Sequence, residues 1–183
     1  MVPPAIHLVR WESIEPALAL DLYLRNRDHL RPWSPASPPG FHTLDGQRGR
    51  SLESANARAA GRGADYAIVV SDGGAVVGTV GLSTILRGPL QTGDLGYLVD
   101  AGHCGRGYAT EAVHQLLRIA FGELRLHRVQ AAVMPANTAS LRVLAHNGFR
   151  EEGLALRYLC INGAWEDHRI LARTVEDPPP RAG

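Results

Sequence analysis

The sequence contains no lysine; its 19 basic side chains are all arginine. This excludes a Walker-type phosphate loop, whose glycine-rich turn ends in lysine, and otherwise reads as compositional bias. Only two cysteines are present, Cys104 and Cys160. That is too few for a disulfide scaffold and fits a reduced, cytoplasmic protein. No apolar run approaches the roughly 20 residues of a membrane span. The opening Met1-Val-Pro-Pro has neither the basic nor the apolar stretch of a secretory leader. With 18 acidic side chains the net charge is only +1, so no basic face is required and direct nucleic-acid binding is not expected. There is no H-E-x-x-H, and His103, Cys104 and His114 lack zinc-ligand spacing, so no metal is expected.

What is present is an ordinary globular composition over 183 residues, 45% hydrophobic and 20% charged. The length suits one core and one domain, expected over 1–176, with a frayed tail at 177–183. No internal repeat stands out. A strand is expected over Ile6–Trp11 and a helix over Ser13–His29, started by Ser13 and Pro16. The four prolines between Arg31 and Gly40 stop it. A weaker helix follows over Leu44–Ala60. Tyr66–Val70 and Ala75–Ile85 read as paired strands around the turn Asp72-Gly-Gly74. Asp94–Asp100 and His127–Val133 are further strands. Gly105–Phe121 is a helix, its small and apolar residues recurring at spacings of three and four. Asn137–Asn147 is a short helix closed by Gly148. Two last strands flank Asn162-Gly163, a hairpin signal. This order suggests an α/β sandwich around a mixed sheet.

Two segments carry chemistry. In Gly96-Tyr-Leu-Val-Asp-Ala-Gly-His-Cys-Gly-Arg-Gly-Tyr-Ala-Thr-Glu-Ala112 a strand enters a glycine-rich turn that opens directly into a helix. Unpartnered amides at a helix start, with the positive end of its dipole, make an anion site. Gly105 and Gly107 let backbone approach a phosphate. A dinucleotide fingerprint is not matched, because Thr110 stands where its third glycine belongs; a turn with no ligand is the plainer reading. In Met134-Pro-Ala-Asn-Thr-Ala-Ser-Leu-Arg-Val-Leu-Ala-His-Asn-Gly-Phe149, Asn137 suits a helix cap and Ser140 an ordinary hydroxyl.

Taken together, Cys104-Gly-Arg-Gly-Tyr-Ala-Thr-Glu-Ala112, Asn137-x-x-Ser140 and Asn147-Gly-Phe149 resemble the GNAT superfamily of acyl-CoA-dependent N-acetyltransferases, over roughly Tyr66 to Arg173. Asn26-Arg-Asp-His-Leu-Arg-Pro-Trp33 and Arg157-Tyr-Leu-Cys-Ile-Asn-Gly-Ala-Trp-Glu-Asp-His168 are similar to its RimJ/RimL-type branch, which acetylates protein N-termini. The resemblance implies a mixed, mostly antiparallel central sheet of about seven strands flanked by helices. It implies acetyl-CoA as co-substrate and a peptide N-terminus as acceptor, and makes a homodimer plausible. Leu98 and Val99 would bond the pantetheine arm through their backbone. Gly105, Arg106, Gly107, Tyr108, Ala109 and Thr110 would cradle the pyrophosphate. Asn137 would bond the arm, and Ser140 would sit near the sulfur. Cys104 departs from the family motif, which has Gln or Arg at that position.

The implied reaction is direct attack of an amine on the thioester, with Ser140 protonating the departing thiolate and Tyr158 as second choice. The glutamate that RimL-like enzymes place after Gly-Phe aligns with Leu159, so the candidate bases are Glu152, Asp167 and His168, with Glu111 behind them. An α-amine ionises at about 7.7–8.0, so roughly a tenth of it is neutral near pH 7 without a dedicated base. Alternation along an extended strand puts Glu166 with His168 on one face and Asp167 with Trp165 on the other. Trp33 and Trp165 are candidate walls of the acceptor pocket, and Asp167 a candidate to attract the amine. The alternatives are acetylation of a small amine (an antibiotic, aminoacyl nucleotide or polyamine) and a non-catalytic acyl-CoA-binding domain.

Overall fold

The computed structural model describes residues 5–178. Seven strands form one sheet in the order β1-β2-β3-β4-β5-β7-β6. They are β1 (Ile6–Arg10), β2 (Ala64–Val70), β3 (Val76–Leu86), β4 (Thr92–Val99), β5 (Arg128–Val133), β6 (Arg150–Ile161) and β7 (Ala164–Thr174). Every neighbouring pair is antiparallel except β4 with β5, so the sheet is mixed and mostly antiparallel, as expected. Both glycine turns form as read. Gly73 and Gly74 turn the chain between β2 and β3, and Asn162 and Gly163 join β6 to β7, all with positive φ, the geometry that tight hairpins require.

Each face of the sheet carries helices. On one lie α4 (Tyr108–Arg118) and α5 (Thr138–His146). The apolar stripe of α4, with Ala112, Val113, Leu116 and Leu117 buried, packs on Ile68, Val80, Leu82, Val129 and Leu144. On the other lie α1 (Pro16–Arg25), the single turn α2 (Arg27–Leu30) and α3 (Leu44–Ala59). There Trp11, Leu22 and Tyr23 close over Ala67 and Val69. Burying one such large side chain is worth about 1.5–3 kcal/mol. No helix among the described residues is long and apolar enough to cross a membrane.

The helix expected over Ser13–His29 differs in two ways. Ser13 ends a short helical turn, and Pro16 takes the first position of α1. The helix then breaks at Asn26, whose buried side chain donates to Leu22 O at 2.8 Å and accepts from the Ala101 amide at 2.8 Å. A tertiary hydrogen bond thus overrides the helical pattern. In the tail, Asp177 accepts the Thr174 amide at 2.7 Å and pairs with Arg150; residues 179–183 lie outside the described residues.

Asn26 belongs to a buried node centred on Asp100. That carboxylate accepts hydrogen bonds from Arg25, from the Gly102 amide at 2.8 Å and from Asn26 at 3.3 Å. Burial would raise its pKa, but these donors together hold it well below the usual carboxylate range. We expect Asp100→Ala to lose about 1–3 kcal/mol of stability in urea unfolding at pH 7, because it removes an acceptor of the buried Asn26 side chain and the charge partner of the partly exposed Arg25. A carboxyl depressed in the folded state stabilises fully above its unfolded value of about 3.9, and the contribution is lost as pH falls below that. The gap between wild type and variant should therefore narrow below about pH 4.

Candidate active site

The pairing of β4 with β5 is brief. Thr92, Gly93 and Asp94 stand opposite Arg128, Val129 and Gln130, and there the ladder ends. Gln130 clamps the last rung by donating to Asp94 Oδ1 at 2.6 Å. Beyond it the strands part, so the β5-facing backbone groups of Leu95–Val99 have no strand partner. Buried main-chain polar groups need partners, and an open strand edge offers them to an extended ligand. A cavity of about 870 Å³ occupies the gap.

Strand alternation decides which side chains meet it from each side. Leu95, Tyr97 and Val99 of β4, with Ala131 and Val133 of β5, face α4 and α5. Gly96 and Leu98, with Ala132 and His168, face α1 and α3. All of them line the cavity, which therefore runs through the sheet from one face to the other.

On the α4 side the chain leaves β4 at Val99 and turns through Ala101–His103 to Gly105. Gly105 and Gly107 adopt left-handed φ of 76° and 80°, and Gly107 is the residue before the first turn of α4. The helix thus begins at Tyr108, with the two glycines outside it rather than within it. Cys104, Gly105, Gly107, Tyr108, Ala109 and Thr110 line the cavity, whereas Arg106 is exposed and does not. The Cys104 thiol is pushed up by burial and by the Asp100 charge, which opposes the thiolate that a nucleophile requires.

Asn137 caps α5, its side-chain oxygen accepting the Ser140 amide at 3.1 Å. This brings Ser140 to the cavity, with Oγ 2.6 Å from the hydroxyl of Tyr97, which also reaches the Ser140 carbonyl at 3.1 Å. Burial pushes the Tyr97 phenol up to about 12, so it stays protonated at neutral pH. The sequence reading missed Tyr97. Its signal was its place in β4, two residues from both Leu95 and Val99, which puts it on the face that meets α5.

On the other face Trp33, Leu30, Ser34, Arg50, Asp65 and Thr79 complete the wall. His168 is buried (2% exposed), and its Nδ1 lies 2.9 Å from the Glu166 carbonyl. A carbonyl only accepts, so Nδ1 carries the hydrogen and Nε2 keeps the lone pair of the neutral ring. Arg50 lies over the Trp11 ring at 4.0 Å and near the Tyr23 ring at 5.2 Å. Neither Arg50 nor Asp65 stood out in the sequence, because their shared position depends on α3 folding over β2.

The remaining candidates are not brought together. Glu152 is held by Arg128 at 2.5 Å and Arg150 at 3.0 Å, and its carboxyl is lowered chiefly by the hydrogen bond from Arg128. It lies outside the cavity. Tyr158, on edge strand β6, is also outside, its ring 5.8 Å from that of His168. Glu111 is bonded to Gln115 at 2.9 Å. Asp167 accepts the Arg157 amide at 2.8 Å and lines a smaller cavity of about 410 Å³ with Met134, Trp165 and Glu166. Three β6 residues bulge opposite Asp167, between the pairs Ala155–His168 and Leu159–Glu166. Trp33 lines the large cavity; Trp165, 65% exposed, does not.

Known proteins share this architecture. The family profile described as "Acetyltransferase (GNAT) domain" matches residues 7–150. The chain is 41% identical over 153 residues, 84% of each protein, to the probable N-acetyltransferase YjcK of Bacillus subtilis. It is 31% identical over 160 residues to the [ribosomal protein uS5]-alanine N-acetyltransferase of Escherichia coli, covering 87% of this chain and 82% of that one. Among solved structures it is similar to the ribosomal-protein-S5-alanine acetyltransferase of Vibrio fischeri, with TM-score 0.87, 34% identity and coverage of 96% and 94%. Mycobacterium smegmatis RimJ in complex with CoA-disulfide gives TM-score 0.86, 34% identity and coverage of 93% and 81%.

Proposed function

The chain belongs to the GNAT family of acetyltransferases, and from that premise we propose that its acceptor is the N-terminal α-amine of a protein. As a member of the family it transfers acetyl from acetyl-CoA to an amine. Two relatives acting on the alanine of ribosomal protein S5 resemble it over most of their length, and they suggest an acceptor that begins with alanine. The observation that carries the reading is the charge of the acceptor face. Its single lining carboxylate, Asp65, is opposed by Arg50. A near-neutral pocket suits one amine on an otherwise uncharged residue, whereas a polyamine needs several acids. We place the reaction in the cytoplasm.

In this reading acetyl-CoA enters from the α4 side. The backbone of Leu98 and Val99 holds the pantetheine arm, and a β4 amide polarises the thioester carbonyl. Amides of Gly105 to Thr110 receive the pyrophosphate. Asn137 spends its side-chain oxygen on capping α5 and has its Nδ2 left for the arm. The acceptor enters from the α1 face. Its nitrogen attacks the thioester carbon, the C–N bond forms and the C–S bond breaks. The amine proton passes to His168 Nε2, the lone pair left by the Nδ1 bond to Glu166. Ser140 gives a proton to the thiolate, and Tyr97, itself a neutral phenol, hydrogen-bonds to Ser140 and keeps its own proton, while the proton taken up by His168 returns to the serine through solvent.

We expect Ser140→Ala to lower kcat by about 100-fold, the low end for loss of a general acid. Tyr97→Phe should cost about 5-fold, one hydrogen bond's worth. Thiol release at saturating acetyl-CoA measures both, and equal effects of the two variants on acetyl-CoA KM alone would contradict these roles. The acceptor is tested by mass spectrometry on peptides with free or blocked N-termini, each carrying one internal lysine, beside small amines and aminoacyl nucleotides. Mass gain confined to free N-termini is expected. Gain only on a small amine would sink the α-amine reading and keep the CoA chemistry, whereas CoA binding with no acetylation would favour a binding domain.

A further inference from the structure

Among the described residues lining the cavity, Asp65 is the one carboxylate, and the transfer step above does not use it. It stands in β2 opposite Gly81 of β3, which stands opposite Gly96 of β4. Directly opposed residues of antiparallel strands project from the same face, so the three form a row on the acceptor face. Two of the three have no side chain. A methyl added at Gly81 would collide with Asp65 Oδ1, so the carboxylate lies across Gly81, leaning towards β4. Neighbouring strands are about 4.8 Å apart, which leaves the carboxylate roughly one strand spacing from Gly96. A methyl at Gly96 would meet nothing within 4 Å. The row is therefore an open trough leading from a carboxylate to the edge of β4 where the sheet divides.

The groups around Asp65 act on it through burial and charge. Burial is the largest influence and raises its pKa; Arg50 and Arg58 of α3 draw it down, and Glu12, ahead of α1, pushes it up. Arg58 is engaged elsewhere, with Glu12 at 2.7 Å and the Asp65 carbonyl at 2.6 Å. A partly desolvated carboxylate with unspent acceptor capacity gains most from a cation that brings N–H donors.

We propose that Asp65 is the subsite that receives the protonated amine of the acceptor, reached along the trough left by Gly81 and Gly96. The proposal deepens the α-amine reading above and rests on it. A carboxylate favours the ammonium over the neutral amine, so this is where the acceptor docks and not where it attacks. The ammonium then loses one proton to solvent water, as an α-amine readily does near neutral pH. The neutral amine advances about one strand spacing to β4, where the proton released on C–N bond formation is the one that His168 Nε2 receives. Asp65 thus acts on acceptor binding rather than on the chemical step. A blocked N-terminus offers no positive charge and leaves the carboxylate with only the charges of Arg50 and Arg58 to offset its partial burial.

The test uses the full chain saturated with CoA and two hexapeptides, one beginning with a free-amine alanine and one its des-amino counterpart. Calorimetric binding should favour the free-amine peptide by about 10-fold, the scale of a charge-assisted hydrogen bond. Asp65→Asn should abolish that preference and raise the peptide KM by about 10-fold, with kcat and CoA affinity nearly unchanged. Gly96→Ala keeps the carboxylate but fills the trough, and should weaken the same preference. Equal binding of the two peptides by wild type, or a preference that survives Asp65→Asn, would overturn the proposal. So would a fall in kcat at unchanged KM, which would make Asp65 the base. Amine preference without acetylation of the peptide keeps the subsite and defeats the α-amine reading; acetylation without amine preference does the reverse.

Discussion

The site exists because two neighbouring strands stop bonding to each other. β4 and β5 share three rungs and then separate, a loss that a sheet tolerates only where something else meets the freed main-chain groups. The separation is held from both sides. The Gln130–Asp94 hydrogen bond marks where it begins, and β3 and β7 keep each strand in register along its other edge. The single parallel pairing falls at this place for a topological reason. The connection from β4 to β5 passes through α4, a crossover rather than a hairpin, and the glycine turn opening that crossover lies at the mouth of the gap.

A passage through the sheet separates two chemistries that would interfere if mixed. The face towards α4 and α5 presents main-chain amides, a capped helix and the Tyr97–Ser140 hydroxyl pair, groups suited to an anionic, extended donor. The face towards α1 and α3 presents Trp33, His168, Arg50 and Asp65, a wall that mixes aromatic and charged side chains. Among the described residues, the two faces meet at the gap between β4 and β5.

Much of this was legible in the sequence. The glycine-rich turn, the Asn137 cap and both hairpins depend on local chemistry, and local chemistry is written in consecutive residues. The helix α4 was visible from its periodicity, whereas α3 stood out only as a weaker helix. What was not legible depends on pairing. Tyr97 gains its partner only when α5 lies over β4, and Asp65 faces the cleft only because β2, β3 and β4 align Gly81 and Gly96 beside it. Glu152 shows the converse. As a carboxylate close after Asn147-Gly-Phe149 it was an eligible base, yet two arginines from outside the motif, Arg128 and Arg150, engage it. The break at Asn26 was hidden for the same reason, its cause being 75 residues away at Ala101.

That break fixes the mechanics of the molecule. Through Arg25, Asn26 and the Gly102 amide, Asp100 ties the end of α1 to the start of the loop that leads to Gly105. The rim of the cavity near α1 and the rim near the glycine loop thus share one rivet. α1 cannot swing outward as a rigid arm without pulling the glycine loop out of shape. The chain beyond the rivet, the proline-rich stretch from Arg31 to Gly40 that carries Trp33, is held at its start by Asn162, whose side chain donates to the Arg31 carbonyl at 2.6 Å. Proline's fixed φ makes such a stretch a stiff flap rather than a loose one. The cavity is therefore bordered on this side by a proline-stiffened plate bearing an aromatic ring, with the glycine loop held on the far side of the rivet.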